Sequence, residues 1–177
     1  MTTLTDLGER ICIMGPSGSG KSTLAVAIGH ARHLPVIHLD QLSHLPATDW
    51  EKRPVGEFIT LHDAAITGDR WVMEGNYTRC LPQRLERATG LILLDISTPL
   101  SLYRYFRRTL FEKNRHGALA EGRDSIKREM VQYILGPARQ NRRHYAAMYQ
   151  KLTLPKILLP SPGVLRQFYR RENLTRP

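Results

Sequence analysis

The feature that most constrains this chain is a glycine-rich segment at residues 15–22, which reads Gly-Pro-Ser-Gly-Ser-Gly-Lys-Ser. A short apolar run at residues 10–14 precedes it, and apolar residues at helical spacing follow it. A strand, a glycine loop of this spacing and a helix form the Walker A pattern. Glycines leave the backbone bare, so that its N–H groups and the helix N-terminus can face an anion. The sequence therefore predicts a loop that binds phosphate groups.

Individual residues of this loop have predicted roles. We expect the Lys21 ammonium to contact the β- and γ-phosphates of ATP, and the Ser22 hydroxyl to bind Mg²⁺. Thr23 either touches the α-phosphate or is simply a residue of the first helical turn. The other residues predicted to bind the nucleotide are Gly15, Pro16, Ser17, Gly18, Ser19 and Gly20.

Length and composition narrow the class of protein. The 177 residues suit one domain, and we expect a single domain over residues 1–177. The two cysteines make no disulfide framework, and their spacing matches no zinc site. The sequence shows no signal peptide and no apolar run of membrane-spanning length. We therefore expect a cytoplasmic protein without a membrane partner.

Short apolar runs alternate with segments of helical spacing along the chain. This alternation predicts an α/β fold in which a parallel sheet carries helices on both faces. The predicted strands occupy residues 10–14, 36–39, 71–73, 91–94 and 156–159. The predicted helices occupy residues 20–31, 54–67, 81–87, 98–110, 124–135, 137–151 and 161–169. Residues 41–53 and 112–122 are expected to lack regular structure.

Missing motifs argue against several classes of phosphate-loop protein. The sequence has no Asn-Lys-x-Asp guanine motif, which argues against a GTPase, and no predicted strand ends in the Asp-Glu pair of many motor ATPases. We also find no sign of the second, helical domain of a ring ATPase. What remains is a compact domain with an arginine-rich segment before the fifth strand. Such a segment suits a kinase, because arginines on a closing lid neutralise the transferring phosphoryl group and exclude water. For any one of these arginines, a solvated helix face is the alternative. The basic residues are Arg104, Arg107, Arg108, Lys113, Arg115, Arg123, Lys127, Arg128, Arg139, Arg142 and Arg143.

A family resemblance rests on several segments taken together. They are the loop at residues 15–22, His38-Leu39-Asp40, the sequence Trp-Val-Met-Glu-Gly-Asn-Tyr at 71–77, Leu-Pro-x-Arg-Leu-Glu-Arg-Ala at 81–88, and Leu93-Leu94-Asp95. With these segments the chain resembles the bacterial FlaR-type topology modulation proteins, which are adenylate-kinase-like P-loop proteins. The resemblance covers about residues 10–169 and implies a five-stranded P-loop kinase fold with strand order 2-3-1-4-5. It leaves the substrate open, since the family name records a DNA-topology phenotype.

The resemblance to adenylate kinases also implies roles for residues after the third strand. Glu74 resembles the acid that holds magnesium through water in those enzymes. Arg79 lies near the position of their substrate-phosphate arginine. Adenylate kinases have Phe-Pro-Arg after this acid and its glycine, whereas residues 76–79 of this chain read Asn-Tyr-Thr-Arg. The resemblance therefore does not carry over the AMP pocket, and the acceptor is not identified.

The same resemblance extends to the arginine-rich segment. Arg104 and Arg108, four residues apart on one helical face, resemble the arginines that stack on adenine and clamp phosphates. Arg123 resembles the far end of a lid, which we expect at about residues 112–124.

The acceptor side has its own candidates. Asp40 is expected to close the second strand beside the phosphate loop, where a carboxylate can orient or deprotonate an acceptor hydroxyl. A helix-capping role for Asp40 is the alternative. Asn76 and Tyr77 are candidates for binding the acceptor. Asp95 is expected to have a structural role at the end of its strand. The predicted catalytic residues are therefore Lys21, Asp40 and Arg108.

The sequence supports two hypotheses for function. The first is a phosphotransferase that moves the γ-phosphoryl group of ATP, with Mg²⁺, to a small metabolite or nucleotide. The second is a nucleic-acid-associated P-loop ATPase or polynucleotide kinase, which the formal net charge of +10 favours. Against the second, the basic region has few interleaved aromatic residues for base stacking, namely Tyr103, Tyr105 and Phe106.

Overall fold

A computed structural model of the chain describes residues 2–48, 50–111 and 128–177. Within them, five strands form one parallel sheet in the order β2-β3-β1-β4-β5, which confirms the predicted fold class and strand order. Strand β1, which leads into the phosphate loop, therefore lies at the centre of the sheet. The strands are β1 (Arg10–Met14), β2 (Val36–His38), β3 (Trp71–Glu74), β4 (Gly90–Leu94) and β5 (Lys156–Leu159).

Eight α-helices lie within the described ranges, and short 3₁₀ helices occupy Thr5–Leu7 and Thr78–Cys80. The α-helices are α1 (Lys21–Arg32), α2 (Leu39–Ser43), α3 (Val55–Ile66), α4 (Leu81–Arg87), α5 (Thr98–Phe111), α6 (Arg128–Leu135), α7 (Pro137–Lys151) and α8 (Pro162–Arg171). None of the helices in these ranges combines the length and the apolar character that a membrane crossing requires.

The two faces of the sheet bury separate apolar clusters. Successive side chains of a strand point to opposite faces. Ile11 of β1 belongs to a cluster with Phe168 of α8, whereas the next residue, Cys12, belongs to a cluster with Phe58 of α3 and Tyr145 of α7. Helices therefore cover both faces, as expected for an all-parallel sheet whose strands are apolar throughout.

The chain after β2 differs from the sequence prediction. Asp40 does not close the strand; it lies in the first turn of the short helix α2 (Leu39–Ser43). A carboxylate is favourable at that position because it faces the positive end of the helix dipole. Leu39 is fully buried and anchors the helix. Beyond it, His44 pairs with Lys52 through the backbone, so part of the predicted loop is a helix followed by a closed turn.

A buried histidine makes the stability of the fold depend on pH. His62 of α3 is fully buried beside Phe58, and its Nδ1 lies 2.9 Å from Oδ1 of Asp63. Burial lowers the pKa of His62 below its ordinary value of 6.5, against the opposing effect of Asp63. The folded state then binds fewer protons than the unfolded chain, so acidification through this range costs stability. The free energy of unfolding is expected to fall by at most about 1.4 kcal/mol per pH unit from this group.

The substitution His62→Leu is expected to remove this part of the pH dependence, because leucine does not titrate. Urea unfolding of both proteins at about pH 7 and about pH 5.5 measures the difference. His30→Gln, at an exposed position of α1, is the matched control and should leave the wild-type dependence intact. Equal pH dependence in wild type and His62→Leu would contradict the prediction.

Candidate active site

The phosphate loop joins β1 to α1 in a conformation that glycine adopts more readily than any other residue. Gly15 has a φ of 150° and Gly20 a φ of 98°. A Cβ atom on Gly15 would lie 2.5 Å from the carbonyl oxygen of Leu94 in β4. Helix α1 begins after Gly20 without a side-chain cap, so its first N–H groups lack an intrahelical acceptor. Bare backbone donors at a helix N-terminus suit a phosphate group.

The Lys21 ammonium is held against this loop. Its Nζ donates to the carbonyl oxygen of Pro16 at 3.1 Å. The cation therefore stays beside the backbone donors, where it adds a full positive charge to the field of the helix N-terminus. Thr23 lies in the first turn of α1.

Ser22, Glu74 and His38 form a compact polar group beside the loop. Glu74 ends β3 and is only 2% exposed. Its Oε1 accepts a hydrogen bond from the Ser22 hydroxyl at 3.0 Å and lies 2.9 Å from Nδ1 of His38. Burial alone would raise the pKa of Glu74, but the bond from His38, the charge of Lys21 and the bond from Ser22 together hold it below its ordinary value. Glu74 is therefore ionised at neutral pH.

This polar group suits a divalent cation. Because the Ser22 hydroxyl donates its proton to Glu74, the lone pairs of its oxygen remain available to a metal. Hydroxyl and carboxylate oxygens are the ligands that magnesium prefers, and magnesium usually keeps several waters. The donor set therefore fits the predicted direct contact through Ser22 and the water-mediated contact through Glu74.

Asp40 and Tyr77 form a second polar pair at the same edge of the sheet. The Tyr77 hydroxyl donates to Oδ1 of Asp40 at 2.6 Å. Burial, followed by the neighbouring Asp40 carboxylate, raises the pKa of Tyr77 far above its ordinary range. The phenol therefore stays protonated and keeps one carboxylate oxygen occupied. The ring of Tyr77 packs on Phe58 at a centroid distance of 5.1 Å, which fixes the pair against α3.

Asn76 is bonded to the phosphate loop itself. Its Oδ1 accepts from the Gly15 N–H at 3.1 Å, and its Nδ2 donates to the Gly15 carbonyl at 3.0 Å. The Asn76 side chain, which we expected to bind the acceptor, thus forms hydrogen bonds with both backbone groups of Gly15. Its backbone carbonyl accepts from Nη2 of Arg84 at 2.8 Å.

Arg104 bonds to the loop, and the charges of three further arginines act on it. Nη1 of Arg104, on α5, donates to the carbonyl oxygens of Gly18 at 3.0 Å and Ser19 at 3.5 Å. Burial lowers the pKa of Arg104, and the nearby charges of three further arginines lower it more. Like charges gathered in one place favour an anion there. The arginine group consists of Arg104, Arg107, Arg166 and Arg176.

A cleft separates the start of the loop from α6 and α7. It is lined by residues 15–17 of the loop, by Asn76 and by Tyr133 and Tyr145, among others. Asp95, which follows β4, accepts two hydrogen bonds from Arg142 of α7 at this cleft, one from Nε and one from Nη2 at 3.2 Å. The ion pair fixes α7 to the end of the sheet.

Three further predicted site residues are Arg79, Arg108 and Arg123. Arg79 is exposed on the 3₁₀ helix, and among the described residues no hydrogen bond connects it to the loop, Asp40 or Glu74. Arg108 lies on α5, but its side chain is outside the described part of the structure. Arg123 and the predicted lid at residues 112–124 also lie outside the described residues.

The sequence analysis did not predict that His38 contacts Glu74 or that Arg84 bonds to the carbonyl of Asn76. A usable indication existed for His38, because it ends β2 and is paired in register with Glu74, which ends β3. Aligning the carboxyl ends of the two predicted strands would have brought the histidine to the acid. Arg84 belongs to the segment 81–88 that carries the resemblance, but nothing in that segment indicates that its partner is the carbonyl of Asn76.

Comparisons with known proteins extend the fold assignment. No model of a protein family and no curated protein matches the chain. A gluconokinase from Sinorhizobium meliloti 1021 is similar in structure, with a TM-score of 0.56 and 17% identity over 94% of this chain and 95% of that chain. A shikimate kinase from Bacteroides thetaiotaomicron has a TM-score of 0.50 and 18% identity over 92% and 95%. A shikimate kinase from Aquifex aeolicus has a TM-score of 0.52 and 16% identity over 91% and 94%.

The fold is that of the small P-loop kinases. Identities of 16–18% establish the fold and leave the reaction to the residues of the site. Within this P-loop kinase fold, the loop, the Ser22–Glu74–His38 group and the Asp40–Tyr77 pair all lie at the carboxyl edge of the sheet. Ligands bind at this edge in open α/β sheets.

Proposed function

We propose that the protein is an ATP-dependent phosphotransferase that transfers the γ-phosphoryl group of ATP to a hydroxyl group of a small metabolite or nucleotide. The observation that carries the proposal is that one edge of the sheet holds a phosphate loop, a Ser22–Glu74 pair suited to magnesium, and a second carboxylate, Asp40, bonded to a protonated Tyr77. The resemblance to FlaR-type topology modulation proteins, which are adenylate-kinase-like, agrees with this proposal.

The donor would be held by the loop and the residues around it. Backbone N–H groups of residues 15–22 would bind the phosphates, and the Lys21 ammonium would offset the charge that develops during transfer. A magnesium ion held by Ser22, and through water by Glu74, would neutralise the β- and γ-phosphate oxygens. Arg104 would face the nucleoside side of ATP. A direct role for Arg108 at the transferring phosphoryl group stays a prediction.

The acceptor would be positioned by Asp40. As the acceptor oxygen forms its bond to the γ-phosphorus, the bond from that phosphorus to the bridging oxygen breaks and ADP leaves. The proton of the acceptor hydroxyl passes to Asp40, whose Oδ1 is already bonded to Tyr77, so that Oδ2 is the oxygen suited to receive it. Roles for Asn76, Arg79 and Arg123 in binding the acceptor stay predictions.

A screen of acceptors tests the proposal. The protein is incubated with Mg²⁺ and γ-labelled ATP against panels of nucleosides, nucleotides and hydroxyl-bearing metabolites, and label transferred to the acceptor is separated from free phosphate. We expect one preferred acceptor whose labelled product appears much faster than free phosphate. Slow release of free phosphate across the whole panel, with no labelled acceptor, would reject a phosphotransferase.

The arginine group also supports a second candidate, a nucleic-acid-associated P-loop ATPase or polynucleotide kinase. Three exposed arginines act by charge on the partly buried Arg104, and such a group suits a polyanion as well as a nucleotide. Gel shifts with single- and double-stranded DNA and RNA at two salt concentrations separate the candidates. Binding that weakens steeply with salt, together with label transfer to a polynucleotide end, would favour this second function.

The substitution Glu74→Gln is expected to weaken the use of magnesium. The glutamine keeps the shape of the side chain but removes the charge that faces Ser22. We expect the Mg²⁺ concentration for half-maximal activity to rise by about tenfold or more, as for other partners of metal ligands. A magnesium titration at saturating ATP measures it, with Glu9→Gln, an exposed acid paired with Arg70, as the control. An unchanged magnesium requirement would remove Glu74 from the metal site.

A further inference from the structure

Arg84 is a buried cation for which the proposed reaction has no direct use. It lies on α4, its side chain is fully buried, and only Nη2 has a hydrogen-bond partner, the carbonyl oxygen of Asn76 at 2.8 Å. Its Nε and Nη1 are buried and make no hydrogen bond within the described part of the chain. Burial lowers the pKa of this guanidinium below its ordinary value. Holding a charge in this way is costly, because Arg84 takes part in none of the ion pairs among the described residues.

The partner of Arg84 leads directly to the phosphate loop. The side chain of Asn76 bonds both the N–H and the carbonyl of Gly15, at 3.1 and 3.0 Å. Gly15 is the residue at which the chain leaves β1 with a φ of 150°. The position of the Asn76 side chain depends on the position of its own backbone, and Arg84 holds that backbone by its carbonyl. Two successive contacts therefore run from the buried cation to the first residue of the loop.

We propose that Arg84 is a positioning residue for the phosphate loop, acting in series with Asn76 on Gly15. The proposal rests on the proposed function, because it concerns the same triphosphate site. The buried guanidinium fixes the Asn76 carbonyl, and the Asn76 amide fixes both backbone groups of Gly15. The loop is then ordered before the nucleotide binds, so that less conformational entropy is lost on binding. Arg84 itself does not touch the nucleotide.

This role predicts that one substitution changes affinity more than stability. Arg84→Met replaces a buried charge with an apolar side chain of similar length, which removes a desolvation cost. The same change leaves the Asn76 carbonyl without its donor, which is destabilising. Because these two effects oppose each other, we expect the melting temperature of Arg84→Met to stay close to that of wild type, while its affinity for ATP with Mg²⁺ falls about fivefold.

Companion variants show whether the two contacts act in series. Asn76→Ala is expected to weaken ATP binding by about tenfold, because it strips Gly15 of both hydrogen bonds. The double variant should be no weaker than Asn76→Ala alone, whereas independent effects would multiply to about fiftyfold. Arg84→Lys keeps a donor for the Asn76 carbonyl and should lose only about twofold. Arg10→Met is the control, since Arg10 also donates to carbonyl oxygens, of Arg87 and Asp69, but at the far end of β1.

The experiment combines calorimetric titration with ATP and Mg²⁺, thermal unfolding, and amide hydrogen exchange of residues 15–19 without nucleotide. Support consists of weaker binding and faster exchange at the loop in Arg84→Met, at a melting temperature close to that of wild type. Wild-type affinity and wild-type loop exchange in Arg84→Met would overturn the proposal, as would a multiplicative loss in the double variant. A wild-type protein that binds no ATP would reject the proposed function instead, and the exchange of the free loop would still decide whether Arg84 orders it.

Discussion

Replacing Lys21 with alanine is expected to lower the rate of phosphoryl transfer by about 100- to 1,000-fold, the range seen when one preorganised charge-stabilising donor is removed. The ammonium lies at the start of α1, where its Nζ is held 3.1 Å from the Pro16 carbonyl. Its charge there strengthens an anion site that backbone groups alone would form with partial charges. Affinity for ATP with Mg²⁺ should fall as well, because the β- and γ-phosphates lose their cationic partner. Calorimetric titration and turnover with the preferred acceptor measure the two effects separately.

The control for this prediction is Lys52→Ala. Lys52 is an exposed lysine of the turn that follows α2, so its removal changes the net charge of the protein by the same amount. A loss of affinity that depends only on net charge would appear in both variants, whereas a loss specific to the loop appears in Lys21→Ala alone. Unchanged triphosphate affinity in Lys21→Ala would show that the loop is not the donor site.

Much of the fold follows from local patterns in the sequence. Each strand is a short apolar run, and runs of this kind between amphipathic helices leave few arrangements besides a covered parallel sheet. The strand order came from the family resemblance, since local periodicity does not say which strands are neighbours. The helix at Leu39–Ser43 was missed for a physical reason: it has five residues, too few for a 3.6-residue period to show.

In the candidate site, too, local motifs are predictable from the sequence, whereas contacts between distant segments are not. The loop at residues 15–22 is a local motif, so the sequence alone assigns each of its residues a role, and these roles stay predictions. The contact of His38 with Glu74 depends on the register between two strands 36 positions apart in sequence. The pairing of Asp95 with Arg142 spans 47 positions and depends on how α7 packs. Contacts of this kind are set by tertiary packing, which composition and spacing do not specify.

The second large effect is expected at Asp40. Asp40→Asn should lower the rate of transfer to the acceptor by about 100- to 10,000-fold, the contribution of a positioned general base. The amide keeps the size of the side chain but has little capacity to take a proton. Affinity for ATP with Mg²⁺ should be unchanged, because the donor contacts of the loop do not involve Asp40. Single-turnover transfer to the preferred acceptor, with calorimetric titration of ATP, measures both quantities.

Tyr77→Phe tests the orienting role of Tyr77 separately from the proposed role of Asp40 as the base. The phenylalanine keeps the packing on Phe58 but removes the 2.6 Å hydrogen bond to Oδ1 of Asp40, so the carboxylate stays and loses only its fixed orientation. We expect a loss of about tenfold in transfer, well below that of Asp40→Asn, because a freed carboxylate still accepts a proton. Single-turnover transfer to the preferred acceptor measures the loss in each variant. Equal losses in both variants would mean that Asp40 takes no proton and serves only to hold Tyr77.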